Sequence, residues 1–501
     1  MKTVVNKTFE PHSDDMQSLV RGGVVATGIS QFVKLITQML SVMVLSRLLT
    51  PADFGLVGMA TPFYGLVTLF QDLGLSQAII QKKDISHDDV NSLFWINIAV
   101  GIILCVVLYI SAPLSGLFYK NPEVSTLMLS MAILPLVAAI GALPNSLLAR
   151  RMAFGALALI DAGGVATGFA AALIFALIFH NFWALYASMV VATVVSAAAS
   201  FLFAGWWPGL PRITSGARSM LHFGAGITGF NLTNFIARNL DNALIGRRWG
   251  SDQLGYYDRS YKLLLLPLQQ VTNPLSRVMV PALSRLNDSP ERYQRAFFKS
   301  FGIMLCVTSP GIVFMSANAS KLIPFIMGAR WAPCVPIFEV LGLIGLLQVV
   351  NNPSGWLIIS QARTKFYAIW GVVTAVTSAT AFLVGLPYGP IGVAVAYGIS
   401  EFVRTPLLWW FVTRRGPVTG KSMLGNTLPV SAAVILSLAV EFLAAPHIGG
   451  PVVVSLCANL VVSYAVFGAF LSVFPRGREL IGEGLSQVRL GAKRQSKAEI
   501  G

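Results

Sequence analysis

Apolar runs of about 20 residues, broken by short clusters of proline, glycine and charge, recur along the whole chain. A run of that length suits a helix crossing the hydrocarbon core of a bilayer, whereas barrel strands would read as alternating segments of about ten. Breaking the runs at their polar clusters predicts fourteen spanning helices near 20–46, 52–74, 92–114, 124–146, 159–180, 182–205, 219–246, 255–282, 300–323, 335–358, 366–386, 391–413, 423–445 and 450–474. Lysine and arginine concentrate in every second loop: Lys82 and Lys83, Arg150 and Arg151, Arg212 and Arg218, the 285–299 segment, Arg363 and Lys365, then Arg414, Arg415 and Lys421. By the positive-inside rule, these loops and both termini are expected on the cytoplasmic side.

The polar positions inside the runs are the informative ones. A charge at the centre of a spanning helix costs roughly 2.5–3.5 kcal/mol on insertion scales. Arg21, Arg277 and Lys262 lie near span ends and can reach the interface with their long side chains. Lys34, Arg238 and Arg404 are too deep for that. Lys34 has no acid on its own span within a helical turn or two and is flanked by Gln31, Thr37, Gln38 and Ser41, one stripe of a helix. Span seven carries a similar stripe in Asn231, Asn234, Arg238, Asp241 and Asn242. Two readings fit. Arg238 with Asp241 at i+3, and Arg404 with Glu401 at i−3, have the spacing of internal ion pairs. Alternatively, the stripes face a water-filled cavity whose cations Lys34, Arg238 and Arg404 favour an anionic passenger.

An offset of 200 residues places "SRLLTPADFGLV" (46–57) over "GRRWGSDQLGYY" (246–257), with Arg47 over Arg247 and Gly55 over Gly255. Both segments leave a span at its outer end and turn into the next, so spans one and seven run the same way. Parallel repeats of this kind build many transporters, with the path between the halves. The expected organisation is a cytoplasmic N-terminus (1–19), an N-lobe of six helices (20–208), a C-lobe of six (209–418), two added helices (419–475) and a basic cytoplasmic tail (476–501).

Composition narrows the function classes. With 55% hydrophobic and only 11% charged residues, the 501-residue chain lacks the polar surface of a soluble globule. Its net charge of +15 is spread over loops facing anionic lipid headgroups, so a nucleic-acid partner is not indicated. Cys105, Cys306, Cys334 and Cys457 lie far apart, without the spacing of a metal site or a disulfide framework. No removable signal peptide is apparent in 1–18. "GAGITG" (224–229) matches a dinucleotide fingerprint by letter but sits within span seven, and Gly164 with Gly168 has helix-packing spacing. No histidine, serine or phosphate-loop motif argues for an enzyme, a cofactor or a bound metal.

"SRLLTPADFGLVGMA" (46–60), "DLGLSQAIIQKKDIS" (72–86) and "LGYYDRSYKLLLLPLQQVTNPLSRVMVPALSRLNDSPERYQRAF" (254–297) resemble the polysaccharide transporter (PST, Wzx-type) flippases of the MOP superfamily, in the branch serving lipopolysaccharide and exopolysaccharide biosynthesis. The resemblance covers about 18–475. It implies an all-α inner-membrane protein that alternates access to a V-shaped cavity and moves an oligosaccharide repeat unit on undecaprenyl diphosphate outward. It also implies a polysaccharide polymerase and glycosyltransferases as partners. A cation-lined lumen suits the diphosphate, for which Lys34, Arg238 and Arg404 are the candidates by position. Gln269, Gln270 and Asn273, within the matching block, rank second. Asp241 and Glu401 are candidates for proton or sodium coupling. A lipid II flippase, a MATE-like exporter and a non-transporting scaffold of a polysaccharide assembly are the alternatives.

Overall fold

The computed structural model describes residues 16–71, 79, 85–211, 215–444, 449–480 and 482, with the side chains of 16–22, 24, 25, 215–234, 236, 237 and 364 outside that description. The helices are α1 (Met16–Leu48), α2 (Pro51–Thr68), α3 (His87–Tyr119), α4 (Pro122–Met131), α5 (Leu134–Arg150), α6 (Phe154–Phe179), α7 (Trp183–Ala204) and α8 (Ser215–Ser284). They continue as α9 (Pro290–Ala317), α10 (Ala319–Met327), α11 (Cys334–Asn351), α12 (Ser354–Ser360), α13 (Thr364–Gly385), α14 (Gly389–Thr413), α15 (Gly420–Ala444) and α16 (Val452–Val473). No strand occurs among the described residues. Ten stretches among them are long and apolar enough to cross a membrane, one of which, Lys365–Thr413, holds both α13 and α14.

The chain divides into two compact units, 1–255 and 256–501. In the first, α1 packs on α6, α6 on α7 and α3 on α5. Gly164 and Gly168 let α6 approach α7 closely: a Cβ on Gly168 would stand 2.9 Å from Ser188 O. Phe94, Leu93, Leu147, Ile160 and Trp206 form a core beneath this layer. The opposite face of α3 exposes Ile103, Tyr109, Ile110 and Leu117, an apolar surface suited to lipid. In the second unit, α9 packs against α11, α15 and α16, α11 against α14, and α13 against α14, around Tyr293, Phe297, Phe301 and Trp356. The unit boundary falls at Gly255, beyond the lobe boundary expected near 209. The first arm of α8 explains it: a Cβ at Gly65 of α2 would meet the ring of Phe235, and one at Gly246 would meet Met59 and Tyr119.

Two local geometries recur in the two halves. Met152 (φ 57) and Ala362 (φ 53) are both left-handed, and Ala153 N and Arg363 N then reach back to Leu148 O (2.9 Å) and Ile358 O (3.0 Å). This is the hydrogen-bond pattern of a Schellman stop, closing α5 and α12 at the same relative place. Beside it an arginine fills the open carbonyl end of a helix: Arg151 Nη1 donates to Ala204 O (2.6 Å) and Arg363 Nη1 to Val412 O (3.0 Å). Burial lowers the pKa of both guanidiniums without discharging them.

The second recurrence is a sharp turn. At the start of α2, Thr50 Oγ1 accepts from Asp53 N (3.3 Å) and Asp53 Oδ2 accepts from Thr50 N (2.8 Å), a capping box that stops α1 and starts α2. At the equivalent place, α8 breaks at Gly250 (φ 84, ψ −178), a conformation that glycine adopts without Cβ strain.

Candidate functional site

The two turns meet. A Cβ at Gly55 would stand 1.8 Å from Ser251 O, and one at Gly255 would stand 2.0 Å from Pro51 O. Ser251 is Pro51 plus 200, and Gly255 is Gly55 plus 200, so the contact is reciprocal under the repeat. The obstructing atoms are backbone in both directions, so no rotamer change relieves the clash. Asp53 (7% exposed) anchors one turn, and Leu254 fills the space beside Gly58 and Gly246. Here the repeated "ADFGLV" and "SDQLGYY" segments become a crossing of two helix starts at two glycines.

Lys34, which has no acid within a turn or two on its own span, has one from another helix. Its Nζ lies 2.5 Å from Asp161 Oδ2 on α6, with side-chain exposures of 19% and 56%. Ser30 Oγ, one turn earlier, donates to Ala158 O (3.0 Å), so this edge of α1 rests on α6. Gln31 and Gln38 of the same stripe are exposed. The result is a half-open ion pair with exposed amides beside it.

The Arg404–Glu401 pair expected on one helix is formed, but it is committed elsewhere. Arg404 is 4% exposed, and its Nη1 lies 2.9 Å from Thr374 O, 2.7 Å from Thr377 Oγ1 and 2.8 Å from Ser378 Oγ, all on α13. Its Nη2 bonds Glu401 Oε1. The guanidinium thereby clamps α14 to α13. Arg404→Ala leaves the half-buried Glu401 without its cation, a change that costs up to about 3–5 kcal/mol where the pair is fully buried in soluble precedents. A fall of the unfolding midpoint in detergent, with Arg404→Lys intermediate, is the expected result.

On α8, Arg238 is exposed and Asp241 is buried, 6% exposed, with Oδ1 accepting from Asn242 N (2.8 Å). Asn242 is half-buried, and the side chains of Asn231 and Asn234 lie outside the described residues, as does the side-chain setting of "GAGITG", whose backbone runs inside α8. On the second arm of α8, Gln269 and Asn273 are exposed, one turn apart, with Gln270 half-buried. They continue a stripe from Lys262 to Arg277, both exposed. Lys262 Nζ lies 2.9 Å from Asp258 Oδ2, a carboxylate only 3% exposed that Arg259 also reaches at 3.3 Å.

Asp161, Asp258 and the fully buried Glu441 were missed by a scan for cations. Each is a single acid inside an apolar run, "LALIDAGG", "GYYDRS" and "LAVEFLA", and the same insertion cost applied to acids finds them.

Long apolar helices carrying paired charges define a multi-pass helical membrane protein. Residues 44–336 match the model of the family described as "Polysaccharide biosynthesis protein" (Polysacc_synt_3), more than half of the chain, and the chain belongs to that family. It is 25% identical over 402 residues to the lipopolysaccharide biosynthesis protein WzxC of Escherichia coli (strain K12), covering 79% of this chain and 80% of that one. It is 24% identical over 446 residues to the succinoglycan biosynthesis transport protein ExoT of Rhizobium meliloti (strain 1021), covering 87% and 89%. In fold it is similar to the lipid II flippase MurJ in an inward closed conformation, with a TM-score of 0.71, 16% identity, and coverage of 91% and 100%. An inward-facing MATE multidrug transporter of the MOP superfamily aligns with a TM-score of 0.58 and 15% identity over 82% and 98%.

Proposed function

We propose that the chain is a flippase of the inner membrane, moving undecaprenyl-diphosphate-linked oligosaccharide repeat units from the cytoplasmic to the periplasmic leaflet. The fourteen spans and cytoplasmic termini of the sequence reading belong to this proposal, with α2 and the two arms of α8 counted among the crossings. The observation that carries it is the reciprocal crossing at Gly55 and Gly255. Two equivalent helix starts that approach closely at two glycines are a contact that can be made tightly and released as a unit, as alternating access requires. On the charge alternation this crossing lies at the periplasmic end, where it seals the path while substrate enters from the cytoplasm.

In this reading the lipid tail stays in the bilayer and the diphosphate exchanges its lost hydration for cations. Lys34, released from Asp161, is the first of these, and the exposed Arg238 is the second. Gln38 in the first unit, and Gln269 and Asn273 in the second, are each proposed to bind hydroxyls, while Arg404 and Glu401 hold α14 on α13. Asp241 is the proposed proton or sodium carrier of the first unit, and Asp241→Asn is expected to remove the ion dependence of flipping. A polymerase acting on the outward product is the proposed partner.

The test is reconstitution of the full chain in vesicles containing an undecaprenyl-diphosphate-linked oligosaccharide. Enzymatic access to the saccharide on the opposite face should rise with protein. Equal access with and without protein would remove the proposal in favour of a scaffold.

A further inference from the structure

The added helices α15 and α16 meet α9 and α10 at a polar cluster enclosed by apolar helix. Glu441 on α15 and Asn459 on α16 are 0% exposed, and Asn318, at the junction of α9 and α10, is 1% exposed. Asn318 Nδ2 donates to Phe314 O (3.0 Å) and to Glu441 Oε2 (3.4 Å), and Asn459 Nδ2 donates to Asn318 Oδ1 (2.5 Å). Ser437, one turn before Glu441, is also 0% exposed. Three oxygens of these residues, Glu441 Oε1, Asn459 Oδ1 and Ser437 Oγ, have no hydrogen-bond partner among the described residues.

All three can accept, so what the cluster lacks is a donor or a positive charge. The nearest cation by position, Lys321 on α10, places its Nζ 3.0 Å from Ser455 Oγ on α16. No ion pair reaches Glu441 among the described residues. Glu291, Arg292, Tyr293, Arg295 and Lys299 of α9 and Lys421 of α15 lie near the opposite ends of their helices; the other titratable groups on the elements around it are Cys306 on α9, Cys457 and Tyr464 on α16, and Tyr397 and the paired Glu401 and Arg404 on α14, with Tyr464 Oη spent on Val307 O. A buried carboxylate without a counter-charge is among the costliest groups a spanning helix can hold. Only oxygen donors are present, and one carboxylate supplies a single negative charge. That chemistry suits a hard monovalent cation and neither a transition metal nor a divalent ion.

We propose that Glu441, together with the side-chain oxygens of Asn459 and Ser437, is a binding site for one monovalent cation, a proton or Na+, at the seam between the added helices and α9. Occupancy supplies the missing charge and fastens α15 and α16 to the second unit. The site differs from the Asp241 carrier above, and it stands apart from the flippase reading because binding is measured without any lipid-linked substrate.

The experiment uses the purified full chain in lipid nanodiscs, titrated with radioactive Na+ and examined by infrared spectroscopy for a protonated carboxyl C=O band. One equivalent of Na+ bound by the wild type and lost in Glu441→Gln identifies the sodium form. No Na+ binding but a carboxyl band that vanishes in Glu441→Gln identifies the proton form. Should Glu441→Gln fold poorly, Ser437→Ala, which removes one oxygen, is expected to weaken Na+ binding by about tenfold or more, or to shift the carboxyl band. If the wild type shows neither Na+ binding nor a carboxyl band, or if Glu441→Gln or Ser437→Ala leaves both signals unchanged, the proposal is overturned and the cluster is a polar pin between helices.

Discussion

Valine at Gly55 or Gly255 is expected to stop polysaccharide export while the protein remains in the membrane at normal level. A side chain there meets backbone oxygen at 1.8 Å or 2.0 Å, far inside contact distance, so the crossing must separate. Overpacking of this kind costs typically about 1–3 kcal/mol. If the sealed and open arrangements differ by only a few kcal/mol, that shift depopulates the sealed state by about 5- to 150-fold. Alanine should give a partial loss and the double Gly55→Ala, Gly255→Ala change a fuller one, since both disturb one contact. Gly163→Ala is the control, because a Cβ there meets nothing within 4 Å. Full export in Gly55→Val would mean that the crossing is not a moving seal.

Lys34→Ala is expected to have the second large effect, and Asp161→Asn a smaller one. A pair with one member 56% exposed contributes at most about 0.2–1 kcal/mol to stability, so neither change should lower protein level much. If Lys34 served only to hold α1 on α6, the two substitutions would be equivalent. If Lys34 receives the diphosphate, its loss removes a charge-assisted contact to the substrate, worth about tenfold or more, whereas losing Asp161 merely frees the lysine. Export and the content of unexported lipid-linked repeat units, measured in both variants, separate the two cases. Equal and small effects would withdraw Lys34 from the path.

Periodicity and charge made the helices legible, because a spanning helix must be apolar for about 20 residues and loop cations must alternate. The offset of 200 was visible as two identities, Arg47 over Arg247 and Gly55 over Gly255. What it meant physically was not, since a reciprocal contact between 51–55 and 251–255 depends on how helices far apart in sequence come together. The same limit hid the partner of Lys34, which comes from α6, and the role of Arg404, whose hydrogen bonds to α13 do not follow from its spacing to Glu401. Buried acids such as Glu441 were legible by the rule used for the cations, although their amide neighbours on other helices were not. Hydropathy is least informative along α8, whose polar stripe and break at Gly250 depart from an ordinary apolar span.

The most direct test of the account follows lipid-linked repeat units in cells of the native host from which this chain alone has been removed. The account predicts that the saccharides are completed, accumulate on undecaprenyl diphosphate in the cytoplasm-facing leaflet, and return to the outside when the wild-type chain is restored. Repeat units that reach the periplasmic face and polymerise at the usual rate without it would contradict the account.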